Sequence, residues 1–304
     1  MSNLPIEVTS WRSRLTEPTS IKMIDKIQFC LVSTTFADEL ILTSYVNDGV
    51  NNLQKKILPI VFLHGFDSSL LEFRRLLPQL TDTYQVWAVD LFGFGMTERL
   101  RGVQVSPNSI KEHLYYFLQT AIATPIVLVG ASMGGAAAID FALTYPEVVQ
   151  KLVLIGSAGM RAGTTMGKFL ISPLDRMATN FLRSSKVRRE VSLKAYANPS
   201  FVTPDAEACA SLHLSMPRWS ESLISFTKSG GYGSFAEQLK YLEQETLILW
   251  GDRDRILGTK DATKFQETIP RNQLIWIDNS GHVPHLERPD IVAQQIHKFI
   301  SSYR

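Results

Sequence analysis

The chain has 304 residues, with 31 Lys and Arg against 29 Asp and Glu and a formal charge of +2 at pH 7. So small a charge argues against binding nucleic acid across the whole surface. Hydrophobic residues make up 45% and charged residues 20%, as in an ordinary globular protein long enough for one large core or for a domain with an insertion.

The first 26 residues mix Glu7, Arg12, Arg14, Glu17 and Lys22 with Pro5 and Pro18 and hold no apolar stretch of the kind a secretory signal needs. No apolar run approaches the roughly 20 residues of a membrane span, so the expected location is the cytoplasm. Residues 27–34 and 40–46 read as two strands joined by a turn at Phe36-Ala37-Asp38. Residues 58–63 form a buried strand ending in His64-Gly65, 70–80 have helical apolar spacing, and 85–89 are a further strand. A helix over 106–121 has Ser106 at its N-cap, Pro107 in its first turn and Ile110, Leu114, Phe117 and Leu118 along one face. A strand at 126, a helix over 134–143 stopped at Tyr145-Pro146 and a strand over 152–155 follow.

The alternation then fails for about eighty residues, which are helical in flavour but broken by Pro173, Pro199, Pro204, Pro217 and Gly230-Gly231-Tyr232-Gly233. It resumes with strands over 246–250 and 273–277 and helices over 260–268 and 289–301. Strands alternating with helices predict an α/β fold with a mostly parallel, doubly wound sheet. The interruption predicts a helical cap after the sixth strand, giving core segments 27–158 and 241–304 around a cap over 159–240. Cys30 and Cys209 lie far apart and predict buried, reduced thiols rather than a disulfide framework.

Gly130-Ala131-Ser132-Met133-Gly134 stands between the apolar run at 125–129 and the small-residue helix start Gly135-Ala136-Ala137-Ala138. A serine at the apex of a strand–turn–helix is lifted above the sheet edge, which is where a nucleophile is needed; the competing reading is a purely structural turn. A serine hydroxyl also needs a base, an acid to orient that base, and donors for the oxyanion it creates. In this architecture the chain order is serine, acid, histidine. Asp254 lies just past the strand at 246–250 and His282 follows Gly281 after the last strand, so both emerge at the sheet edge that carries Ser132. His285 is the rival base, and Asp252 and Asp278 are the rival acids, each also suited to capping a loop. His113 and His297 fall in helices and read as surface or packing residues, whereas His213 lies in the cap. The Met133 and Phe66 amides are the candidate oxyanion donors.

This set resembles the α/β-hydrolase superfamily, and in particular its lidded serine hydrolases. The matching residues are His64-Gly65-Phe66, Asp90 to Thr97, Gly130 to Gly135, Trp250 to Asp254 and Gly281-His282. The resemblance implies Ser132 as nucleophile, Asp254 as acid, His282 as base and Phe66 with Met133 as oxyanion donors. One departure is visible: the family often has proline four residues after the acid, where this chain has Gly258. Relatives with aspartate at the elbow open epoxides or cleave carbon–halogen bonds, and Ser132 argues against both. Gly93-Phe94-Gly95 lacks the third glycine of a dinucleotide fingerprint, and no His/Cys/carboxylate set has metal-ligand spacing, so no cofactor or metal is expected.

The first half of the cap carries Arg161, Lys168, Arg176, Arg183, Lys186, Arg188, Arg189 and Lys194 against Asp175 and Glu190. The simpler reading is a solvated basic face; the functional one is a weak contact with a membrane surface or an acyl carrier. Met160, Met166, Phe169, Leu170, Ile171, Leu174 and Met177 read as the apolar lining beneath it. The leading expectation is a hydrolase of a small, largely apolar carboxylic ester. A carbon–carbon hydrolase acting on vinylogous diketones, with Arg188 or Arg189 near the substrate carboxylate, is the runner-up. A slow-turnover small-molecule receptor of the same fold is the third.

Overall fold

The computed structural model of the chain describes residues 10–50, 57–122, 125–162 and 172–302. Eight strands form one sheet: β1 (Ile27–Val32), β2 (Ile41–Gly49), β3 (Ile60–Leu63), β4 (Gln85–Val89), β5 (Ile126–Ala131), β6 (Val149–Ile155), β7 (Glu245–Gly251) and β8 (Asn272–Ile277). Their spatial order is β1-β2-β4-β3-β5-β6-β7-β8. β2 runs antiparallel to β1 and β4, and every other neighbouring pair is parallel. β3 and β5 are buried at every position, which is why they read as unbroken apolar runs rather than alternating ones.

Ten helices are described: α1 (Pro18–Asp25), α2 (Pro107–Ala121), α3 (Met133–Thr144), α4 (Leu174–Arg183), α5 (Ser185–Ala195), α6 (Pro204–Cys209), α7 (Trp219–Ser229), α8 (Lys260–Thr268), α9 (Pro284–Glu287) and α10 (Pro289–Ser301). α2, α3 and α8 cover one face of the sheet through Phe117, Phe141 and Phe265; α1 and α10 cover the other through Ile24, Ile296 and Phe299. The predicted start of α2 holds in detail, since Ser106 and Ser109 form a reciprocal cap around Pro107. From β3 the chain crosses to β4 on one side and then to β5 on the other. That reversal opens a crevice beyond the carboxyl ends of β3 and β5, which is where ligands bind in such sheets.

The predicted helix over 70–80 is a correction. Leu70–Phe73 and Leu77–Gln79 are two separate 3₁₀ turns. Pro78 has no amide hydrogen to continue a helix, and its ring would press on the carbonyl of Arg74. At the other end the Leu70 amide donates to the buried Asp90 carboxylate at 2.6 Å. Asp90 also accepts from Ser44 Oγ at 2.7 Å and the Met96 amide at 2.8 Å, so the glycine-rich 90–97 segment is a loop knotted around one carboxylate.

Between β6 and β7 lie α4 to α7, with Pro173 just before α4 and Pro204 opening α6. Lys168, Met166, Phe169, Leu170 and Ile171, like Pro5 and Glu7, lie outside the described residues. Leu174 and Met177 do not line the interior as predicted; both are exposed, because α4 turns Asp175 and Thr179 inward instead. Cys209 is buried and Cys30 half-buried, and both are free thiols. Among the described residues no helix is long and apolar enough to cross a membrane.

Candidate active site

Ser132 is the single residue between β5 and α3, at φ 52° and ψ −119°. A side chain at such a backbone angle costs roughly 1–3 kcal/mol and persists only where the surroundings enforce it. Here the enforcement comes from crowding. A Cβ on Gly134 would sit 2.1 Å from the Leu63 carbonyl oxygen, and one on Gly130 would sit 2.2 Å from the Gly134 oxygen. Glycine at both positions lets α3 start directly against β3 and β5. The Ser132 amide donates to the Ile155 carbonyl at 3.0 Å, which ties the turn to β6.

Asp254 follows β7 and His282 follows β8, two and three strands along the sheet from β5. Ser132 Oγ lies 2.9 Å from His282 Nε2, and His282 Nδ1 lies 2.9 Å from Asp254 Oδ2. The other Asp254 oxygen accepts the Ile256 and Leu257 amides at 2.8 and 3.0 Å. Burial alone would raise the Asp254 carboxyl. The hydrogen bond and charge of His282, with those two amides, more than offset it and hold the group below its ordinary range. The position where the family often has proline, Gly258, adopts φ +73°, which a proline ring cannot reach, and its carbonyl accepts Trp250 Nε1 at 3.0 Å.

The rivals stand elsewhere. Asp252 accepts the Ser280 amide at 3.1 Å, as a loop cap, and Asp278 is exposed. His113 packs in the core with Nε2 2.7 Å from Thr43 Oγ1, and burial pulls its pKa down to about 3. His297 Nδ1 lies 2.9 Å from the Tyr84 hydroxyl. His285 is buried with Nε2 3.2 Å from Glu72 Oε1.

Phe66 and Met133 flank the serine, and among the described residues neither amide has a hydrogen-bond acceptor. The loop carrying Phe66 is held by His64, which the sequence singled out without a role, and by Glu72, which sequence reasoning missed. The Leu91 amide donates to His64 Nε2 at 3.1 Å, so Nδ1 carries the ring proton and donates to the Gly65 carbonyl at 2.8 Å. Because that carbonyl and the Phe66 N–H share one peptide plane, the Phe66 N–H points away from His64. Glu72 accepts the Gly65 amide at 2.8 Å. Burial would raise the Glu72 carboxyl, yet the adjoining His285 imidazole and the Gly65 amide hold it down at about 2.

Two cavities adjoin Ser132. One, of about 290 Å³, is lined by Ser132, His282, Val191, Tyr196, Arg188 and Arg74 among others. The second, of about 570 Å³, is lined by Met133, Phe226, Tyr232 and Leu257, and shares Phe66 and Ile256 with the first. Of the two arginines singled out in the sequence, Arg189 pairs with Glu207 outside the cavity. Arg188 does line it, but Nη1 donates to Asp67 Oδ2 at 2.8 Å and Nη2 donates to the Ala210 carbonyl at 2.7 Å. Asp67 also accepts from Trp219 Nε1 at 2.7 Å and lies 3.1 Å from His213 Nε2, so His213 belongs to this knot. Arg74, which no motif pointed to, is buried in the same lining with no acceptor for Nε or Nη2 among the described residues; Asp205 Oδ2 stands 4.0 Å away.

A family model described as the alpha/beta hydrolase fold matches residues 59–289. The chain is 33% identical over 245 residues to the alpha/beta hydrolase domain-containing protein VTE7 of Arabidopsis thaliana, covering 80% of this chain and 74% of that one. It is 27% identical over 259 residues to a 2-hydroxy-6-oxo-2,4-heptadienoate hydrolase of Pseudomonas putida, covering 80% and 89%. The solved meta-cleavage product hydrolase of Pseudomonas fluorescens IP01 superposes with a TM-score of 0.73 at 25% identity, over 89% of this chain and 96% of that one. Further relatives are named as lipases and an esterase. With the eight-stranded sheet and its switch-point crevice, these matches establish that the chain is a hydrolase belonging to the α/β-hydrolase family.

Proposed function

We propose that this hydrolase cleaves a carboxylic ester of a small, largely apolar substrate through an acyl-enzyme. Ser132 Oγ attacks the ester carbonyl while His282 Nε2 takes its proton, and Asp254 holds the imidazole by its Nδ1–H. The Phe66 and Met133 amides donate to the oxyanion, an interaction worth roughly 10²–10³ in rate per donor. The imidazolium then gives its proton to the departing alcohol. Water, deprotonated by the same nitrogen, releases the acid and restores Ser132. These steps balance without a cofactor. The helices between β6 and β7 act as a cap, over residues 159–240, and the enzyme works in the cytoplasm.

The observation that carries this reading is the continuous Ser132–His282–Asp254 chain of 2.9 Å contacts beside two amides that have no acceptor among the described residues. The largely apolar lining of the second cavity supports an apolar substrate. A second reading, carbon–carbon hydrolysis of a vinylogous diketone, is favoured by the likeness to the 2-hydroxy-6-oxo-2,4-heptadienoate hydrolase, although Arg188 and Arg189 are engaged by Asp67 and Glu207 and Arg74 faces Asp205.

The test is labelling by a fluorophosphonate probe with turnover of p-nitrophenyl esters of graded chain length, comparing wild type, Ser132→Ala and His282→Ala. Labelling lost in Ser132→Ala, with ester turnover, supports the esterase. Labelling with turnover only of a vinylogous diketone acid supports the second reading. Wild type that neither labels nor turns over any substrate leaves a ligand receptor, and labelling that survives Ser132→Ala removes the serine from its role.

A further inference from the structure

We infer that α4, with the adjoining face of α5, docks this protein on an anionic lipid surface. The reason is that α4 is inside out. Its buried positions are polar: Asp175 accepts from Lys228 Nζ at 2.8 Å, and Thr179 Oγ1 lies 2.6 Å from Ser220 Oγ. Three of its apolar residues face water, with Leu174 52%, Met177 63% and Phe181 65% exposed, while Leu182 packs against the core. The spacing of three and four residues puts these side chains on one stripe, and Val191 on α5 is likewise exposed, at 50%. A helix of a water-facing protein has the reverse arrangement, whereas an apolar stripe turned outward is the pattern of a helix lying in a membrane interface.

Charge selects the occupant. Arg176, Lys186 and Lys194 are exposed cations on these two helices, with Glu190 as the exposed acid, while Arg183 stacks on Trp219 and Arg189 pairs with Glu207. A basic surround repels a second copy of the same face in a two-fold contact, but it matches the negative headgroups above a bilayer's apolar interior. α5 also forms part of the wall of the cavity beside Ser132. Val191 is both exposed and part of the cavity lining, as are the half-exposed Phe66 and Ile256 from other segments. Docking in this orientation sets the cavity mouth against the lipid, where apolar esters concentrate. This last step rests on the proposed ester hydrolysis, while the docking itself does not.

The experiment is co-sedimentation of the full chain with phosphatidylcholine vesicles, with and without phosphatidylglycerol, alongside size-exclusion chromatography with light scattering. Wild type is expected to pellet with the mixed vesicles, to do so less as salt rises, and to stay in the supernatant with phosphatidylcholine alone. Leu174→Ser/Met177→Ser/Phe181→Ser is expected to lower binding more than about tenfold, since each loses a side chain that would enter the apolar region. Arg176→Gln and Lys186→Gln should each lower it about fivefold. All three variants should keep wild-type circular dichroism and wild-type turnover of a soluble ester. Ser132→Ala should bind vesicles as wild type does, so loss of the ester reading would leave this one standing. Wild type that stays in the supernatant at low salt overturns the inference, whether it is monomeric or a dimer that the triple serine variant dissociates. Equal vesicle binding by wild type and the triple variant overturns it too.

Discussion

Glu287 is the most informative residue to change outside the serine–histidine–aspartate set. It is buried, and its carboxylate joins two segments by accepting backbone amides. Oε1 accepts Ala197 and Asn198 N–H, both at 3.0 Å, and Oε2 accepts Gly281 N–H at 2.6 Å. His282, the next residue, donates its own amide to the Ala195 carbonyl at 2.7 Å. The end of α5 and the histidine loop are therefore stapled together through one acid. Glu287→Gln keeps the volume but must turn an NH₂ toward one of these N–H sets, at a cost of about 2–3 kcal/mol for a charge-assisted bond lost and a donor left buried. Glu287→Ala orphans three amides, about 4–6 kcal/mol, which is comparable with the whole stability of a marginal domain. Displacing His282 from Ser132 by even part of an ångström should lower kcat about 10–100-fold with little change in KM. Urea unfolding and kcat on a soluble p-nitrophenyl ester measure both. A Glu287→Gln enzyme within about 0.5 kcal/mol of wild type and within twofold in kcat would falsify the staple, since ordinary surface changes fall in that range.

Other expectations follow from neighbouring residues. Ser132→Gly should be more stable than Ser132→Ala by about 1 kcal/mol in thermal unfolding, because glycine tolerates the φ of 52° that alanine does not; equal stability would mean the turn is unstrained. Gly134→Ala should cost about 3 kcal/mol and most of the activity, because its Cβ would lie 2.1 Å from the Leu63 carbonyl oxygen; a folded, active variant would show that α3 can withdraw from β3. Gly258→Pro should destabilise the enzyme despite the family's preference, since φ is +73° at that position; an unchanged urea midpoint would refute this. Glu72 titrates below its unfolded value, so its contribution to stability is complete above the ordinary carboxylate range, near pH 4.3, and is lost as pH falls toward about 2. The unfolding free energy should therefore decline across that window, and Glu72→Gln should flatten the decline; an identical slope in the variant would remove Glu72 from it.

What the sequence disclosed was what short range decides. The helix start at Ser106-Pro107 is a contest over a few amides in one turn, so local residue types settle it. The elbow was legible because a Gly-x-Ser-x-Gly motif after an all-buried strand leaves the chain few other conformations. The 70–80 segment has helical apolar spacing, but Pro78 breaks the helix from within and Asp90, from another strand end, holds its start. The same limit hid the outward face of α4, whose apolar residues are spaced as in any amphipathic helix; Lys228 and Ser220 of another helix capture its polar side. Arg74 was equally invisible, since nothing about an arginine between two 3₁₀ turns says that it will be buried in a cavity wall.

The acids make the same point chemically. Asp67, Glu72, Asp90, Asp254 and Glu287 all gather at the sheet edge that bears Ser132, and any of them is a candidate acid by residue type alone. Their roles diverge by what each pair of oxygens faces. In Asp90 and Glu287 both oxygens accept backbone amides, so those carboxylates act as loop anchors. Asp67 is consumed by Arg188, Trp219 and His213, and Glu72 is divided between an amide and a histidine that does not reach the serine. Asp254 gives one oxygen to two amides, which fix its position, and the other to a histidine that also reaches Ser132. Exchanging anchor for partner therefore takes more than a carboxylate. Asp254→Glu should lose most of its activity, because the longer stem cannot keep both amides and still meet His282 Nδ1 at 2.9 Å; wild-type turnover in that variant would show that charge near the imidazole, rather than its orientation, is what the site requires.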